Sequence, residues 1–60
     1  MKLRFIGIDG SMGLKHGETY KVCLSSNADY IVVFFYFENG DYDCCPYSSP
    51  LSFAKNWEAV

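Results

Sequence analysis

The stretch YIVVFFYFENGDYDCC, residues 30–45, decides the fold. Its first eight residues, Tyr30 to Phe37, are apolar apart from two tyrosine hydroxyls, and the run stops at Glu38. A helix that spans a bilayer needs about 20 consecutive apolar residues, so this run reads as a strand with two faces to cover. Asn39-Gly40 follows at once. It is a strong hairpin signal, because a two-residue type I′ turn needs positive φ at both central positions and Asn-Gly supplies it. With Glu38 and Asp41 flanking such a turn, Phe37 faces Tyr42, Tyr36 faces Asp43, Phe35 faces Cys44 and Phe34 faces Cys45. One face of the expected hairpin then collects Ile31, Val33, Phe35, Phe37, Tyr42 and Cys44. The other collects Tyr30, Val32, Phe34, Tyr36, Asp43, Cys45 and Tyr47. The first set is a core face. The second mixes aromatic rings with hydroxyls, an acid and a thiol, the character of a surface that is wet in one state and covered in another.

Outward from the hairpin, the period is two almost everywhere. Residues Lys2 to Ile8 alternate, with Leu3 and Phe5 opposite Lys2 and Arg4, and predict a first strand. The glycine-rich DGSMGLKHG, residues 9–17, predicts an irregular loop with left-handed backbone at Gly10, Gly13 or Gly17. Thr19 to Leu24 returns to alternation, with Tyr20, Val22 and Leu24 on one side, and residues 25–29 form a turn. In the tail, Ser49 is an N-cap and Pro50 a first helical residue, which predicts a helix over Pro50 to Asn56. A last strand over Trp57 to Val60 is the competing reading. The whole predicts one mostly β domain, residues 1–60: a small SH3-like, partly open barrel of four to five antiparallel strands with a short C-terminal helix.

Size sets the next limit. A chain of 60 residues buries only about 60% of the surface of its unfolded form, so it is marginal unless disulfides, a metal or a second copy assist it. Its cysteines are Cys23, Cys44 and Cys45, an odd number with no CxxC spacing, beside the single histidine His16. That is a poor disulfide framework and a poor zinc site. No cofactor or metal is expected. Charge and apolar residues alternate in MKLRFIGIDG without a signal-peptide core, so the expected setting is a reducing cytoplasm, with a homodimer as the aid to stability. A net charge of −2 and scattered basic residues argue against a partner recognised through phosphates, although Lys2 and Arg4 share a strand face that can meet Lys15 or Lys21.

A single core covers one face of the third strand and leaves the other apolar. That face, centred on Val32 and Phe34 and rimmed by Tyr30, Tyr36, Cys45 and Tyr47, is the candidate contact surface, since exposed apolar patches mark contact sites. The plainer reading is that Met12 and Leu14 of the glycine loop, or Phe53 and Trp57 of the tail, fold over it. Candidate chemistry is thin. His16 has no neighbour that makes a nucleophile pair, so no catalytic residue is assigned. The acids Glu38, Asp41 and Asp43 lack the twelve-residue calcium pattern and belong to a hairpin tip. The run GSMGLKHG matches neither GxxxxGK[ST] nor GxGxxG, though turns of this kind can form an anion nest.

Two stretches, RFIGIDGSMGLKHGETYKV (residues 4–22) and CPYSSPLSFAKNW (residues 45–57), resemble small proteins encoded by phages and prophages of Gram-positive bacteria. The resemblance covers about half of the chain and implies an SH3-like barrel and a phage origin, with no catalytic residues to carry over. Phage accessory proteins of this size resemble inhibitors that block a bacterial defence protein, which implies a host protein as partner and the host cytoplasm as location. The leading expectation is therefore a non-enzymatic, phage-encoded blocker acting as a homodimer. Its loop residues Ser11, Met12, Leu14, Lys15 and His16 provide a second contact. The alternative is a sponge that sequesters a small nucleotide signal, with loop 9–17 gripping phosphates and a tyrosine or Trp57 stacking on the base. Binding of single-stranded nucleic acid has the stacking residues but lacks a positive groove.

Overall fold

The computed structural model describes residues 1–60. Five strands, β1 (Lys2–Phe5), β2 (Thr19–Ser26), β3 (Ile31–Tyr36), β4 (Tyr42–Tyr47) and β5 (Trp57–Ala59), form one antiparallel sheet in the order β4-β3-β2-β1-β5. A single helix, α1 (Pro50–Ala54), lies between the last two strands in sequence. β4 and β5 are not bonded to each other, and α1 contacts both. The result is the mostly β, partly open barrel that the alternation predicts, and no helix is long and apolar enough to cross a membrane.

The β3–β4 register corrects one expectation. Phe37 O accepts from Gly40 N at 3.1 Å, Phe37 N donates to Asp41 O at 2.8 Å, and Gly40 has φ 93° while Asn39 stays at negative φ. Asn-Gly is therefore used in a three-residue loop, a type I turn closed by a glycine bulge, and not in a two-residue I′ turn. Tyr36 pairs with Tyr42, Phe35 with Asp43, Phe34 with Cys44 and Val33 with Cys45. A slip of one residue exchanges the two faces of a strand. Tyr42 and Cys44 accordingly point outward, while Cys45 and Tyr47, expected on the contact face, belong to the core side.

The reward for this register is long-range. Tyr47 is buried, and its hydroxyl accepts the indole Nε1–H of buried Trp57 at 3.0 Å. Leaving that indole donor buried without a partner costs about 1–3 kcal/mol. Trp57 sits among Phe5 (ring centroids 5.1 Å), Phe35 (6.0 Å) and Tyr20 (6.2 Å). Leu3, Leu14, Val22 and Val33 complete the core, with Phe37, Cys45 and Phe53 packed against it.

The ends of the elements follow local chemistry. The first strand stops at Phe5, short of the expected Ile8, because the chain passes close to the tail at Gly7, where a Cβ would come within 2.5 Å of Asn56 Oδ1 and 2.6 Å of the Phe5 ring. Asn27 Oδ1 accepts from Asp29 N and Tyr30 N, which tightens the β2–β3 turn and extends β2 to Ser26. Ser49 caps α1 by accepting from Ser52 N at 3.1 Å. The helix ends at Ala54, two residues short of the expected Asn56, because Trp57 leaves it to pair with Phe5 as the start of β5. The competing reading of the tail, a final strand, is the observed one.

Candidate functional site

Alternation and register together build the outer face of β2, β3 and β4 as a three-by-three grid. Its rows are Lys21–Tyr36–Tyr42, Cys23–Phe34–Cys44 and Ser25–Val32–Pro46. Because Phe37 and Asp41 form a hydrogen-bonded pair, the alternation makes Tyr36/Tyr42, Phe34/Cys44 and Val32/Pro46 the non-bonded pairs, in which side chains approach most closely. Tyr36 and Tyr42 rings lie 5.8 Å apart at a 36° tilt. The electrostatic influence of neighbouring Cys23 raises the Tyr36 phenol above its ordinary range, and desolvation and a hydrogen bond with the same side chain act in the same direction. Tyr42 is 67% exposed, and Val32 and Phe34 are half-buried among their own neighbours.

Nothing else in the chain lies over this face. Leu14, Phe53 and Trp57, which have the apolar character to cover it, are spent on the core side, and Met12 stands exposed at the loop tip. Of the residues expected here, Val32, Phe34 and Tyr36 are brought together, and Tyr30 is exposed at the turn where β3 begins. Cys45 and Tyr47 are not part of it. Cys45 is half-buried against the core, and burial together with a hydrogen bond to Cys45 pushes the Tyr47 phenol up to about 12, against a smaller opposite effect of Trp57. Tyr42, Cys44, Pro46, Lys21, Cys23 and Ser25 take part instead. Sequence reasoning missed Tyr42, Cys44 and Pro46 because it assigned β4 the wrong face, and Lys21, Cys23 and Ser25 because it did not lay β2 beside the outer face of β3.

The free edge of the grid offers few donors to a further strand. The Cys44 N–H points away from β3 and is taken by the Asp43 side chain at 2.8 Å, and Pro46 has no N–H to offer. β5, at the other edge, has only three residues.

The glycine loop is built differently. Leu14 is 1% exposed and plugs the barrel, so it leaves the expected loop-contact set, while Ser11, Met12, Lys15 and His16 remain exposed. The loop amides are bonded within the chain: Gly10 N to Leu14 O, Gly13 N to Gly10 O, Lys15 N to Tyr20 Oη, His16 N to Asp9 Oδ1 and Gly17 N to Phe5 O. His16 Nδ1 lies 2.9 Å from Gly7 O. An anion nest needs successive free amides, and here most are already engaged. Met12 holds φ 55°, a left-handed conformation unusual for a residue with a side chain, and Ile8 is 81% exposed. Trp57, at 2% exposure, is not placed to stack on a base.

No group of three or more His, Cys, Asp or Glu side chains is arranged to hold a metal. All three cysteines are free thiols. Compared with models of protein families, with curated proteins and with solved structures, the chain matches none.

Proposed function

We propose that this chain is a non-enzymatic binding protein whose working surface is the outer face of β2–β4, and that it acts as a phage-encoded blocker of a host defence protein, with a homodimer as its stable form. The observation that carries the reading is the uncovered grid centred on Phe34. The barrel completes its core on one face and leaves Val32, Phe34, Tyr36 and Tyr42 with no cover from its own loop or helix. A specific interface buries about 800 Å² on each partner, about a fifth of the 4139 Å² that this chain exposes. The phage origin and the defence target rest on the resemblance of residues 4–22 and 45–57 alone. The nucleotide-sponge alternative is less favoured, because a phosphate in loop 9–17 has to compete with the loop's own hydrogen bonds.

The test is the solution mass of wild type beside Phe34→Glu, by light scattering over a range of concentrations. The expected outcome is a wild-type dimer and a folded monomeric variant that no longer binds the host protein. A variant that stays dimeric and active overturns the assignment of this face.

A further inference from the structure

Positive charge on this acidic chain is concentrated in one place. Of five basic side chains, three, Lys2, Lys15 and Lys21, line a groove of about 720 Å³ where the long loop meets β1, β2 and the β3–β4 hairpin. Lys2 and Lys21 stand directly opposite each other across the β1–β2 pair. Like charges in that position are destabilising. No ion pair relieves them: the one salt bridge of the structure joins Arg4 to Glu58 at 2.8 Å, although Glu18 and Glu38 line the same groove. Three lysines against two carboxylates, with none of the lysines in an ion pair, leave the groove with an excess of one positive charge and room for an anion supplied from outside. Tyr20, Tyr36 and Phe37 give the groove an aromatic wall, and its volume falls within the range of about 300–1,000 Å³ typical of ligand sites.

The composition of the groove narrows the anion. Glu18 and Glu38 offset two of the three lysines in the lining, which suits an anion of low charge density better than a polyphosphate or nucleic-acid strand, and most of the neighbouring loop amides are already bonded. Lysine ammoniums are separate point charges, suited to several single carboxylates spaced along a chain. Lys21 and Tyr36 belong both to the groove and to the outer-face grid, so the two form one continuous surface. We propose that this groove receives an acidic peptide segment of the protein partner, its carboxylates on Lys2, Lys15 and Lys21 and an apolar side chain against Tyr36 and Phe37. This rests on the reading of the chain as a protein-binding module.

A random-peptide display library panned against the purified protein tests it. Selected peptides are expected to be rich in Asp and Glu beside an aromatic or aliphatic residue. Their affinity should fall about tenfold or more, as loss of several charge contacts implies, in Lys2→Gln/Lys15→Gln/Lys21→Gln, and in the same direction in the single loop variant Lys15→Gln. Lys55→Gln, an exposed lysine outside both the groove and the grid, should retain peptide binding. Selection of no peptides, or of peptides without acids, overturns the proposal. So does loss of peptide binding in Phe34→Glu but not in the lysine variants, which moves the contact to the grid. A thermal shift with adenosine monophosphate that the lysine variants abolish overturns it in favour of a nucleotide. Failure of the light-scattering test with an intact acidic selection separates the dimer reading from this one.

Discussion

The two faces of β3 are made from alternating residues of one strand and differ in almost everything else. Val33 and Phe35 are fully buried, and their face is closed by residues from every other strand, from the long loop and from the tail. Val32, Phe34 and Tyr36 look out between two thiols, a lysine, a serine, a proline and a second tyrosine, with no further layer above them. Phe34 and Phe35 share composition and neighbourhood in sequence. The lesson is that apolar character fixes a strand's membership of the sheet, while the fate of each face depends on what the remaining short chain can place over it. Here there is enough for one face.

The comparison breaks most severely at Phe35. Phe35→Ala should cost about 3–5 kcal/mol, enough to unfold a domain of this size, whereas Phe34→Ala, at a half-buried position, should cost clearly less; urea denaturation of the two variants side by side measures the difference. If they lose the same amount, the two faces are equally closed and the outer-face reading fails. Gly7→Ala is expected next, because its Cβ meets Asn56 Oδ1 and the Phe5 ring at the end of the barrel. Overpacking of this kind costs about 1–3 kcal/mol, to be read as a lower midpoint in the same titration.

Tyr47→Phe sharpens the inner side more finely. It removes the acceptor of the Trp57 Nε1–H and should cost about 1–2 kcal/mol at neutral pH. It should also change the alkaline behaviour. The folded phenol is pushed up to about 12 from an ordinary value of 10.0, so the unfolded chain ionises first as pH rises. The stabilisation from keeping Tyr47 neutral is intact below pH 10.0 and is lost between there and about pH 12. Thermal melts across that window should show a shallower decline for Tyr47→Phe than for wild type, with the share of Tyr36 remaining. Equal slopes would mean that Tyr47 is as accessible folded as unfolded.

Much of this was legible from local pattern. Parity along β2 and β3 is a property of each strand by itself, and it placed Val22, Val33 and Phe35 inside and Val32, Phe34 and Tyr36 outside. The side of β4 is a relation between strands, and it turned on whether Asn39-Gly40 closes a two- or a three-residue loop. Both geometries suit that dipeptide, and the deciding gain, Tyr47 against Trp57, comes from residues far from the turn. The lysine groove was visible only as a strand face on which Lys2 and Arg4 could meet Lys15 or Lys21, because its members come from β1, β2 and the loop and meet only through strand pairing. Gly7 carried no signal at all, since nothing in its own neighbourhood announces that Asn56 packs against it.

The hydrogen bond from Cys44 N to the Asp43 side chain, with Pro46 two residues on, also bears on how copies of such a sheet could join. Strands that meet along their edges leave a new edge exposed and can add copies without limit, which is how fibres grow. Surfaces that meet face to face about a two-fold axis consume each other, and the assembly closes at two. With one rim amide capped, a proline beside it and the face open, this small sheet favours association that closes over association that grows.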